Sequence, residues 1–123
     1  MLYSCSVFKS GSGKVENFDR FYERFHTDSL FQMSRISFPL EGLPSFADES
    51  QFNSTFTWEA DTWELHLPIN YKEFPGLTQK LTREEGIVKE SVNMGNGLAL
   101  ERHFAMKNKE WYLVFYVGIN QIK

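Results

Sequence analysis

The side chains able to do chemistry are few and scattered along the chain. Three imidazoles are present, His26, His66 and His103. Glu101 stands two places before His103, so in a strand the two share one face. A His–carboxylate pair is a minimal acid–base unit, and His103 or Asp28 could serve it on a small apolar substrate. The plainer reading makes Asp28 a helix cap and His103 a side chain without chemistry. Gln32 and Arg35 are three apart, hence on one helix face. Arg35 immediately precedes an apolar run and could point inward, toward a bound carboxylate or toward Glu64 or Glu101. It could equally tie helix to loop. Trp58 and Trp63 stand among carboxylates, a pairing that holds a sugar ring by stacking and hydroxyl hydrogen bonds; core packing is the competing reading. His66 and Tyr71 complete the set of pocket candidates. His26, at the end of a helix, reads as a complement to the helix dipole.

Several chemistries have no residues to carry them. There is no H-x-H, no H-E-x-x-H and no loop of alternating Asp and Asn, so no metal is expected. No serine sits on a glycine elbow, and no glycine loop cradles a phosphate. Gly95-Asn96-Gly97 is a turn. No cofactor is expected.

The elements that must position these groups change in texture along the chain. Phe18, Phe21, Tyr22 and Phe25 fall at i, i+3, i+4 and i+7, one apolar helical stripe. Asp19, Arg20, Glu23 and Arg24 fill the opposite face. Thr27 or Asp28 can cap a second short helix, so a helical hairpin or bent helix is predicted over about residues 16–35. Ile36-Ser37-Phe38-Pro39-Leu40 reads as an edge strand limited by proline. Residues 41–57 read as a loop or irregular strand, and Trp58 to Leu67 fits either a strand or a short helix. Thr82 and Glu85 have capping-box spacing, but Gly86 follows too soon for a long helix. From Gly86 on, the pattern is β. Asn96-Gly97 is a hairpin signal, and Lys107 to Glu110 makes the next turn. In the last strand Trp111, Leu113, Phe115 and Val117 are predicted on one side, with Tyr112, Val114 and Tyr116 on the other. Helices followed by antiparallel strands mean α+β.

The chain has 123 residues, enough for one domain with one core. Its net charge is −3, so the basic face that phosphate neutralisation requires is missing and nucleic acid is not an expected partner. The charge is uneven. Between Arg35 and Lys72 there is no Lys or Arg, while Glu41, Asp48, Glu49, Glu59, Asp61 and Glu64 are all there. This segment is a solvated acidic face or a cation or sugar site. Aromatic residues reach 16%, and eight of them lie in the helix stripe and the closing strand, which a core would join.

Cys5 is the single cysteine, so no intrachain disulfide is possible. Leu2-Tyr3-Ser4-Cys5 looks like the tail of a bacterial lipobox, and Ser10-Gly11-Ser12-Gly13-Lys14 like a flexible tether. A signal peptide needs a basic start and an apolar run of about 7–15 residues, so lipidation of Cys5 requires a start upstream of Met1. The order of elements is that of the nuclear-transport-factor-2-like cone. The string Phe18-x-x-Phe21-x-x-x-Phe25-x-x-Asp28-Ser29-x-Phe31-Gln32-x-x-Arg35-Ile36-x-Phe38-Pro39-Leu40 resembles the signature of a bacterial family, domain-of-unknown-function family 4348. The closing stretch Phe104-Ala105-Met106-Lys107-Asn108-Lys109-Glu110-Trp111-Tyr112-Leu113-Val114 resembles its end. The similarity covers roughly residues 16–117. It implies a cone fold in a secreted or lipid-anchored protein, and it supplies no catalytic residue.

The expectation is therefore a lipobox and tether over residues 1–15, then one α+β cone domain over 16–123. The first functional reading is a non-catalytic cell-envelope lipoprotein, periplasmic or on the outer membrane, binding a small ligand or an envelope protein at the cone mouth. It would meet the membrane only through the anchor. The alternatives are a cone-fold enzyme using His103 or Asp28, and a cytoplasmic interaction domain forming a homodimer through its sheet.

Overall fold

The stripe of phenylalanines forms its helix. The computed structural model describes residues 14–43, 56–69, 72–95 and 97–120, with only the backbone of 119 and 120. Cys5, Tyr71, Phe46 and Phe52 fall outside these residues. Helix α1 spans Phe18–Thr27, and the Asn17 side chain caps it by accepting from the Arg20 N–H. Helix α2 spans Ser29–Ser34. Asp28 joins them: its N–H donates to the Arg24 carbonyl at 2.9 Å, and its carboxylate accepts from the Phe31 N–H at 3.1 Å. That second bond holds the Asp28 carboxyl below its usual range. Asp28 is a cap.

The strands are β1 (Ile36–Leu43), β2 (Thr57–Trp58), β3 (Thr78–Glu84), β4 (Ile87–Asn93), β5 (Leu98–Lys107) and β6 (Glu110–Asn120). They make one sheet in the order β2-β1-β6-β5-β4-β3. Every neighbouring pair is antiparallel except β1 and β6, which run parallel, so the curved sheet is mixed. Helix α1 lays its stripe across this sheet. The Phe104 ring meets Phe18 at 5.4 Å, Phe21 at 5.7 Å and Phe25 at 5.9 Å. Phe31, Ile36, Leu40, Val88, Leu113 and Trp111 complete the core.

Three local expectations are corrected. The strand at Ile36–Leu43 is not an edge, because β2 pairs outside it. Pro39 is tolerated because it falls in the irregular stretch between the Ile36 and Glu41 pairings, where no ladder N–H is needed. Thr82 caps no helix: β3 runs through it to Glu84, and Glu85-Gly86 is the turn. In β6 the simple alternation fails. Phe104 pairs with Leu113 while His103 pairs with Phe115, leaving Val114 as an extra residue. Such a bulge reverses which face later residues take. Tyr116 therefore joins the helix-facing side with its partner Arg102, and Phe115 goes to the other face with His103.

Segment 59–69 is neither strand nor long helix. A single 3-10 turn spans Ala60–Thr62, and residues 63–69 have no regular secondary structure.

Candidate functional site

Two charged residues sit where the strand pattern calls for apolar ones. Glu90 lies between Val88 and Val92 on the buried face of β4, and Arg102 lies next to Phe104 on the buried face of β5. They are direct cross-strand partners, and they are 0% and 1% exposed. Arg102 Nε donates to Glu90 Oε1 at 2.6 Å. Burial alone would raise the Glu90 carboxyl. The Arg102 charge, with hydrogen bonds from Arg102, Tyr22 and Gln79, outweighs it and holds the carboxyl below its usual range.

The helix supplies the rest of the network. The Tyr22 hydroxyl donates to Glu90 Oε2 and accepts from Arg102 Nη2 at 3.1 Å. Gln79 Nε2 donates to Glu90 Oε2 at 2.7 Å. Arg102 Nη1 is 3.0 Å from His26 Nε2 and 3.1 Å from His66 Nδ1. A guanidinium only donates, so both imidazole nitrogens must offer lone pairs. For His26 the other nitrogen, Nδ1, then carries the proton and donates to the Tyr22 carbonyl at 2.7 Å. For His66 the proton sits on Nε2. Both rings are neutral. Burial, and after it Arg102, brings His26 down to about 4. The same two causes, with His26 added, bring His66 to about 3.

Gln32 fixes His66 in place. Its Nε2 donates to the Phe25 carbonyl at 2.7 Å and to the His66 carbonyl at 2.8 Å. Its Oε1 accepts from the His66 N–H at 2.9 Å and from Trp63 Nε1 at 3.0 Å. All four bonding positions of this buried amide are filled. Gln32 is thus a clamp that docks segment 63–66 on the helices.

Two cavities share His66 and Tyr116 in their walls. The first, about 280 Å³, is the cone mouth. Arg102, His26, His66, Tyr116 and Glu73 form its polar part, and Phe74, Met94, Leu100, Leu67, Pro68 and Ile69 its apolar part. The second, about 460 Å³, is walled by Trp58, Trp63, Tyr116 and His66, with Thr62, Glu64 and Leu65. The His66 and Tyr116 rings, 4.7 Å apart, form the wall between them. Burial raises the Tyr116 hydroxyl above the usual phenol range, with Arg102 opposing and Glu64 adding to it.

The remaining candidates lie elsewhere. Arg35 does not enter the cone. It bonds Glu16 at 2.6 Å and the Trp111 carbonyl at 3.2 Å, with Glu110 at 3.3 Å. Its ion partners are Glu16 and Glu110, not Glu64 or Glu101, and it pins the start of the domain to the closing hairpin. His103 does pair with Glu101, at 2.7 Å. Both are on the sheet face away from the helices, where His103 stacks on Phe115 at 4.6 Å. His26 is no exposed dipole partner but a buried member of the network. Sequence reasoning also missed Arg102, Glu90, Tyr22 and Gln79. Among the described residues no group of three or more His, Cys, Asp or Glu converges as metal ligands.

Helices packed into a curved sheet around a mouth of this kind define the nuclear-transport-factor-2-like cone. Solved structures agree. An NTF2-like protein from Bacteroides fragilis matches 92% of this chain with a TM-score of 0.62 at 24% identity. The chain spans 51% of that protein's length. A cystatin-like protein from Bacteroides caccae matches 85% of the chain and 76% of its own, with a TM-score of 0.61 at 20% identity. A Bacteroides uniformis protein solved by NMR matches 86% and 78%, with a TM-score of 0.60 at 19% identity. At these identities the likeness is one of fold. No family profile and no curated protein matches the chain.

Proposed function

We propose that this cone is a non-catalytic binding domain, taking a small ligand with an apolar body and a hydrogen-bond acceptor into the mouth cavity. The observation that carries the reading is the polar end of that cavity. Arg102 is held there by Glu90, and both histidine lone pairs are committed to it. An imidazole so placed is a poor base, because a proton would have to join it beside a guanidinium. The same arrangement leaves His66 Nε2–H as a donor toward an acceptor on the ligand. Leu100, Met94, Phe74 and Ile69 offer apolar contact to the body. Cavities of this mixed kind are typical of small-molecule sites.

A thermal-shift series tests it, with hexanoate, methyl glucoside and magnesium as probes. Hexanoate is expected to raise the Tm of the wild-type protein and to leave Leu100→Trp, whose indole fills the cavity, unmoved. No shift with any probe would favour a protein partner instead. A shift that survives in Leu100→Trp would move the site out of the mouth.

The cell-envelope location is part of the same proposal. It rests on Leu2-Tyr3-Ser4-Cys5 and on the resemblance to family 4348. Translation of the DNA upstream of Met1 is expected to show, in frame, a basic start and an apolar run. A stop codon without them would turn the reading to a cytoplasmic domain.

A further inference from the structure

The second cavity is not needed for ligand binding at the mouth, and its walls have a different chemistry. Trp58, Trp63 and Tyr116 meet pairwise at steep angles. Trp58 and Trp63 are 6.3 Å apart at 86°, Trp63 and Tyr116 5.5 Å apart at 77°, and Trp58 and Tyr116 5.2 Å apart at 50°. Both indoles are locked by their N–H groups. Trp58 Nε1 donates to the Tyr116 carbonyl at 3.0 Å, and Trp63 Nε1 donates to Gln32 Oε1 at 3.0 Å. Their polar ends are thus spent on the protein, and what Phe56, Phe38 and His66 leave uncovered of the two indoles lines the cavity. The walls are set before any guest arrives.

The charge around this corner has one sign. Glu64 lines the cavity, and Asp61 lies on the exposed 3-10 turn whose last residue, Thr62, is also in the wall. The fourth ring, His66, is stacked near Trp63 at 4.7 Å and 34°. It is uncharged because it is buried and its Nδ1 lone pair accepts from Arg102. Arg102 lines the other cavity, not this one, and Glu90 neutralises it.

We infer that the corner of Trp58, Trp63 and Tyr116, closed by Glu64, is a site for an organic cation, a quaternary ammonium or methylated amine. Aromatic faces attract such a cation through their quadrupoles, and the attraction grows as the cation loses water. A carboxylate at the rim adds the matching charge. The wall also carries the Thr62 and Tyr116 hydroxyls, so a saccharide is the competing guest.

Calorimetric titration at low salt tests this with three probes. They are choline, its uncharged isostere with carbon in place of the quaternary nitrogen, and methyl glucoside. Choline is expected to bind saturably, at least about tenfold more tightly than the isostere, as two or three cation–π contacts would give. Glu64 is exposed, so Glu64→Gln and Glu64→Lys should keep the wild-type Tm. Glu64→Gln is expected to weaken choline severalfold, and Glu64→Lys to weaken it further. Leu100→Trp, which blocks only the mouth, should bind choline as the wild type does. Equal binding of choline and its isostere would make the corner a plain apolar cavity and overturn the inference. So would binding of methyl glucoside alone, the absence of any binding, or choline affinity unchanged in Glu64→Lys.

Discussion

Glu90 and Arg102 illustrate how much of a buried charge pair depends on its neighbours. Each is fully enclosed, and each bonds the other and the helix side chains. Replacing one partner leaves the other charge stranded in a low-dielectric core. Arg102→Met is expected to cost about 3–5 kcal/mol, measured by urea unfolding. The double change Glu90→Leu with Arg102→Met should recover most of that loss, because apolar residues of similar size can replace a buried ion pair at little cost. A single-variant loss under about 1 kcal/mol would mean that water reaches Glu90 after all. At this scale the sequence was half legible. A lone charge in the middle of an apolar strand face is visible in Val88, Glu90, Val92 and again in Leu100, Arg102, Phe104. The hairpin that joins those strands pairs the two charges directly. What no local pattern carries is the arrival of Tyr22, His26 and His66 around them, since these come from residues 36 to 80 positions away.

Among the elements, β1 and its contact with β6 matter most to the second cavity. Gly42 pairs with Tyr116. A Cβ on Gly42 would overlap the Tyr116 carbonyl oxygen and would stand 2.9 Å from Trp58 Nε1. The glycine is what lets Trp58 reach that carbonyl. Gly42→Ala is expected to destabilise the fold by about 1–3 kcal/mol, the usual cost of overpacking. It should also shift the tryptophan emission as Trp58 is displaced. An unchanged spectrum and Tm would show that β1 can move aside freely. The helices were legible because a 3.6-residue stripe and two caps agree. The final strand was legible only as far as Leu113: the bulge at Val114 adds one residue and inverts the faces, and alternation alone does not reveal it. Proline misdirected the reading of β1, since a missing N–H can lie at an irregularity as well as at an edge.

The whole molecule inherits a pH dependence from the two histidines. Both sit below their ordinary value, so the folded protein binds fewer protons than the unfolded chain below about pH 6.5. Stability then rises with pH, and acid removes it. For His26 alone the loss between pH 6.5 and pH 4 is about 3 kcal/mol. Glu90 acts in the same direction, because its folded-state carboxyl is also held low. The Tm measured across this range should fall steeply toward acid. In His26→Gln the fall should be shallower. A flat profile would mean that the imidazoles keep their ordinary affinity for protons.

The span of the network along the chain sets an order of assembly. Glu90 and Arg102 are only 12 positions apart, within one hairpin, so they can meet while both are still hydrated. Helix α1 must then close over them across 76 to 80 positions, and β6 must find β1, with Leu113 beside Ile36. Distant closures of this kind come late and slow a folding reaction. Water is therefore stripped from the ion pair near the end of folding. The hairpin is a preformed lock, and the helix is the part that turns it.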